Sequence, residues 1–153
     1  MHFSAAATII LSMALPLAGP LVAQVQTQVP PVIPNAKPVT VEHIKVHSAA
    51  LEGNLEGEPA DRDVFVFLPP SYNQNKHRHY PVVYALHGFS IGAEQWTHEI
   101  HVPQTIEGAF AQGAKEMIVV LPDSKTAYGG SMYSSSATPG DFELEKSGGV
   151  VVE

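Results

Sequence analysis

The residues whose types and spacing could do chemistry are concentrated in one stretch, Tyr80 to Gly92, YPVVYALHGFSIG. Gly88-Phe89-Ser90-Ile91-Gly92 matches G-x-S-x-G, in which flanking glycines let the backbone turn sharply from a strand into a helix and expose a nucleophilic serine Oγ. The same residues admit a second chemistry. A His-Gly pair that ends a strand can open a loop that donates a backbone N–H to the oxygen of a tetrahedral acyl intermediate. In the first reading Ser90 attacks; in the second, His87, Gly88 and Phe89 form an oxyanion loop and Ser90 is a turn or cap residue. A third reading, a plain strand-ending turn, involves no chemistry.

The elements that must position these residues are legible on both sides. Pro81 to Leu86 is a short apolar run rich in β-branched and aromatic residues, which predicts a strand covered on both faces, as in the middle of a parallel sheet. Upstream, Val39 to Val46 gives a strand with a change of phase, and Leu51 to Asp63 holds the turn signals Gly53, Asn54, Gly57 and Pro59. Val64 to Leu68 is a second apolar strand closed by Pro69-Pro70. Downstream, Pro103 suits a first helical turn, Ile106, Ala109 and Phe110 share one helix face, and Gly113 is the stop. Glu116 to Leu121 predicts a buried strand ended by Pro122-Asp123. Strand, helix and strand in that order predict a right-handed parallel crossover.

Bulk properties narrow the partners. A net charge of -7 with only 8 Lys+Arg leaves no basic cluster to displace counterions, which argues against nucleic acid or an anionic membrane surface. Cysteine is absent, so neither disulfides nor thiolate metal sites are available. Ala5 to Ala23 has the layout of a secretory signal peptide: an apolar segment broken by Pro16, then small residues before Gln24. Residues 1–23 are therefore expected to be an export signal, placing the protein in a secreted or periplasmic setting with no other membrane association. Residues 24–38, rich in proline, read as an extended linker, and 39–153 as the domain.

Other chemistry-bearing residues carry weaker signals. Trp96 is either a wall of the substrate pocket or a core anchor. The loop Tyr128 to Ser136, YGGSMYSSS, offers the hydroxyls of Ser131 and Tyr133 toward a substrate, or is an ordinary loop. His98-Glu99-Ile100-His101 lacks the H-E-x-x-H spacing, so no metal is expected, and nothing calls for a cofactor.

Five segments, VFVFLPPSY, YPVVYALHGF, Trp96, MIVVLPDS and GGSMYSSS, occur in the order and approximate spacing of the esterase D-like family of α/β-hydrolases. That group includes S-formylglutathione hydrolases, feruloyl and acetyl-xylan esterases and mycolyltransferases. The resemblance spans roughly Val64 to Glu143. It implies an α/β fold, the N-terminal part of an α/β-hydrolase with a mostly parallel sheet and crossover helices. It also implies a serine hydrolase acting on small-molecule or polysaccharide-linked carboxylic esters, as esterase or acyltransferase. In such a fold the third strand ends in the oxyanion loop and the nucleophile follows the fifth, which favours Phe89 as the oxyanion donor over Ser90 as the nucleophile. The pattern departs after Glu143: residues 144–153 have no counterpart, nor do the triad serine, acid and histidine. The expectation is a chain inactive as written. Its rivals are a secreted carbohydrate-binding module and the product of an interrupted reading frame.

Overall fold

The computed structural model describes residues 29–75 and 77–143. The export segment, residues 24–28 of the linker and the tail 144–153 lie outside them. Six strands and two α-helices follow in chain order: β1 (Thr40–His47), β2 (Asp61–Leu68), β3 (Val82–Tyr84), α1 (Ala93–His98), α2 (Val102–Ala111), β4 (Ile118–Pro122), and the short β5 (Ser135–Ser136) and β6 (Gly140–Asp141). The main sheet has the order β1-β2-β4-β3, and β5 and β6 form a separate two-stranded ribbon.

β2 and β4 are the two inner strands, and their composition explains it. Val64 to Leu68 and Ile118 to Pro122 are buried throughout, so alternate side chains point to opposite faces and both faces are covered. On one face Phe65, Phe67, Val119 and Leu121 pack with Val39 and Ala93, and against this cluster lie Trp96 of α1 and Val102, Ile106 and Phe110 of α2. On the other, Val64, Val66, Leu68, Ile118 and Val120 pack with Val46, Tyr72 and Tyr80.

The expected mostly parallel sheet with crossover helices is met in part, and the expected interior place of the third strand is corrected. The sheet is mixed, with a single crossover: β3 and β4 pair in parallel through α1 and α2, whereas β1–β2 and β2–β4 are antiparallel. Parallel pairing needs a crossover connection, commonly a helix. Residues 48–60 supply only one 3-10 turn, Ala49–Leu51, and then turn residues, which bring the chain back antiparallel. That third strand, β3, is the end strand of the described sheet, and Val82 and Val83 are 44% and 43% exposed. Its apolar sequence fits a strand with both faces covered, but among the described residues only β4 pairs with it. The predicted helix over Pro103 to Gly113 appears as α2, with Pro103 in its first turn and Gly113 beyond its end at φ +99.

Candidate active site

Because β3 and β4 run parallel, the chain leaves both strands at the same edge of the sheet. The segments that follow, His87–Gly92 and Asp123–Tyr133, meet there. The ladder continues one residue past β3, with Ala85 N–H donating to Val120 O at 2.8 Å. His87 then turns inward and is 4% exposed, while Phe89 is 58% exposed.

The two ends of the 88–92 loop are fastened by adjacent residues, Asp123 and Ser124. At the start, the Ser124 N–H donates to His87 Nε2 at 2.8 Å, and the Ser124 hydroxyl lies 3.4 Å from the same nitrogen. An Nε2 that accepts this bond carries no proton, so the ring is the Nδ1–H tautomer, and Nδ1 donates to Gly88 O at 3.0 Å. The His87 N–H donates to the Tyr133 hydroxyl at 2.9 Å, and the ring lies edge-on to Trp96 and tilted against Tyr133. At the end of the loop, Ala93 N–H, the first of α1, donates to Asp123 Oδ1 at 2.8 Å. Gly92 permits this closeness, since a Cβ there would stand 3.0 Å from the same Oδ1.

The middle of the loop rests on the glycines of the 124–134 loop. Ser90 takes up a left-handed φ of 66 and its N–H donates to Gly129 O at 2.7 Å. The Phe89 ring lies on Gly129 and Gly130, both at positive φ; a Cβ on Gly129 would come within 2.7 Å of Phe89 Cζ. With the ring seated and the neighbouring Ser90 N–H occupied, the Phe89 N–H has no acceptor among the described residues.

Asp123 is tied to the inner sheet through Arg62, a residue of β2 that is 5% exposed. Arg62 Nη2 meets Asp123 Oδ2 at 3.2 Å and Nε donates to Asp123 O at 3.2 Å. Further bonds run from Nη2 to Lys125 O and from Nη1 to Glu58 Oε2, and the guanidinium lies 5.4 Å from the centre of the Phe142 ring. Burial pushes the Asp123 carboxyl up, but the Ala93 N–H and the Arg62 charge pull it down, and the group lies below the usual carboxylate range. The pull of Ala93 and Arg62 does not depend on the His87 tautomer, whereas Nε2, 3.3 Å from Oδ1, cannot donate to the carboxylate while it accepts from Ser124.

Of the residues singled out from sequence, His87, Gly88, Phe89, Ser90, Trp96, Ser131 and Tyr133 thus gather at one edge of the sheet. Their stations differ from one another. Trp96 packs against the core cluster as well as His87. Ser131 is buried, and its hydroxyl accepts the Tyr133 N–H at 3.1 Å within the loop. No histidine or carboxylate hydrogen-bonds to Ser90 Oγ among the described residues. Sequence reasoning missed Asp123, Ser124 and Arg62. The first two had been read as a strand stop and loop start, and Arg62 lay before the apolar run that marked the second strand. Among the described residues no group of three or more His, Asp or Glu side chains could hold a metal ion.

A sheet edge where a His-Gly turn after one parallel strand is fastened by the loop after the next is the kind of site found in α/β acyl-ester hydrolases. Residues 58–148, more than half of the chain, match the esterase family model described as "Putative esterase", and the chain belongs to that family. No curated protein matches it. Among solved structures, it is similar to a ferulic acid esterase from Anaeromyces mucronatus in complex with ferulic acid, at 24% identity and a TM-score of 0.54, covering 78% of this chain and 42% of that one. Another ferulic acid esterase shares 34% identity over 57% of this chain and 31% of its own, with a TM-score of 0.48. A serine-to-alanine mutant of the feruloyl esterase module of Clostridium thermocellum, complexed with sinapinate, shares 18% identity over 71% of this chain and 35% of its own, with a TM-score of 0.48. The likeness to the Anaeromyces structure is one of fold. The chain spans less than half the length of each of these structures.

Proposed function

We propose that this chain forms the oxyanion-loop side of an exported carboxylic-ester hydrolase, with the Phe89 N–H as the donor to the oxyanion. The observation that carries this is the Phe89 N–H, without an acceptor among the described residues, in a loop whose flanking residues His87 and Ala93 are both fastened to the end of β4. When a nucleophile adds to an ester carbonyl, the oxygen gains a full charge. A donor already fixed at that point stabilises it without reorganisation, and removing one such donor typically costs about 10²-fold or more in turnover. Gly88 lets the chain pass close to the substrate, and His87 anchors the loop without touching the reacting atoms.

The acyl group we assign is a flat aromatic one. Phe89, Tyr128 and Met132 are exposed on or near the loop, with the Tyr133 ring beside them, a surface suited to stacking on a ring. The ferulic acid held by the Anaeromyces esterase is of that chemical class. Ser90 is not the nucleophile in this reading, because acyl transfer needs an adjacent base and Ser90 Oγ has none among the described residues.

Two measurements on the expressed chain test this. Titrating ferulate into isotope-labelled protein is expected to shift the Phe89 amide resonance, and a fluorophosphonate probe is expected to leave Ser90 unmodified. An unmoved Phe89 amide would remove the oxyanion assignment, and stoichiometric labelling of Ser90 would make that serine the nucleophile.

A further inference from the structure

Arg62 has no place in the chemistry above, yet it is a buried cation on an inner strand, and burying a cation is costly unless its donors are all engaged. Its donors reach two separate pieces of chain: Glu58 before β2, and the segment after β4, where they meet the Asp123 carboxylate and carbonyl and the Lys125 carbonyl. Asp123 in turn holds the first N–H of α1, and the next residue along, Ser124, holds His87. The line from β2 to the loop is continuous and uses one side chain at each step. A planar fork that grips both the carboxylate and the carbonyl of Asp123 fixes the position and the orientation of that residue, which a lysine ammonium would not do.

We propose that Arg62 is a positioning residue for the 88–92 loop: acting through Asp123, it sets the direction in which the Phe89 N–H points. This deepens the oxyanion reading of Phe89 and rests on it for its catalytic meaning. The mechanical claim stands apart from that reading. Arg62 also contacts Phe142 and two other carbonyl or carboxylate groups, so a purely structural role is the competing account.

The two accounts separate in the full-length chain carrying Arg62→Met, Arg62→Lys or Phe142→Leu. The readouts are amide hydrogen exchange at Phe89, Ser90 and Ala93, and the 15N shifts of the His87 ring, which report its tautomer. With Arg62→Met we expect exchange at Ser90 and Ala93 to rise at least 10-fold and the His87 ring signals to move toward a mixture of tautomers. Arg62→Lys should give partial recovery. Phe142→Leu should lower the melting temperature while leaving all three amides and the ring unchanged. A folded Arg62→Met with wild-type exchange and wild-type ring shifts would overturn the proposal. Should Arg62→Met fail to fold, Arg62→Lys decides alone: unchanged loop amides in that folded variant would equally overturn it. If the loop responds as expected but the Phe89 amide ignores ferulate, the oxyanion reading fails and the positioning role of Arg62 survives.

Discussion

At the scale of single residues, Gly129 carries more of the site than any charged group does. Its φ of +107 is one that a side chain rarely adopts, and the space where a Cβ would go is filled by the Phe89 ring. Gly129→Ala therefore meets two penalties at once, backbone strain and displacement of the ring. The expected loss is about 1–3 kcal/mol, measurable by urea unfolding, together with a moved Phe89 amide and a lengthened Ser90 N–H to Gly129 O bond. An alanine variant as stable as the parent with the Phe89 signal in place would show that the ring does not depend on that contact. This dependence was out of reach of the sequence. YGGSMYSSS announced a loop near a site, but which glycine faces which ring is decided by two segments about forty positions apart. The position of the His-Gly turn after an apolar strand was legible from local pattern, whereas the role given to the Phe89 N–H came from the resemblance.

At the scale of elements, the antiparallel pair β1–β2 carries an ionic device. Asp61 and Glu52 face the two ring nitrogens of His47 at 2.7 and 2.9 Å. Only the doubly protonated ring can donate to both. The hydrogen bond to Asp61, then that to Glu52, raise its pKa above 6.5 against a small opposing desolvation. A group whose folded pKa lies above its unfolded value adds stability that is fully present below about pH 6.5 and is lost as pH rises through the folded value. Melting curves at pH 5.5 and 8.5 should therefore show β1–β2 weakening slightly at the higher pH, and His47→Gln should abolish that difference. A variant with the same pH dependence as the parent would place the titrating group elsewhere. Asp63 behaves in the opposite sense. Slight burial raises its pKa, Lys45 and His43 outweigh that, and its contribution is lost only as pH falls below about 4. The direction of β2 was not legible: the segment 48–60 reads only as turn signals, and the resemblance implies a mostly parallel sheet, which the β3–β4 pair alone meets among the described strands. The burial of Val64 to Leu68 and Ile118 to Leu121 was legible as two continuous apolar runs, and both lie in strands with neighbours on either side.

At the scale of the whole molecule, residues 58–148 place the chain in the esterase family, and the chemistry, the address and the acyl group are the proposals built on that. Residues 1–23 motivate export: the mature protein is expected to begin near Gln24, and N-terminal sequencing of extracytoplasmic material would show it. An intact Met1 on a cytosolic product would end that proposal. The sheet was legible strand by strand, yet its edge was not. Val82 and Val83 read as interior residues by composition, and burial is a property of neighbours that one strand's composition does not contain.

The fastening of the 88–92 loop by Asp123 and Ser124 has a consequence in time. The bonds that fasten the loop at both ends come from residues more than thirty positions later, with both helices in between, so its local bonds do not complete it as the chain first collapses. Closing that long segment costs entropy before those fastening bonds form. The site should thus be a late event of folding: in pulse-labelled refolding, the Ser90 and Ala93 amides should gain protection together with or after Val120, never before it. A loop assembled last is one that a nascent chain cannot present in its final shape while its sheet is still open.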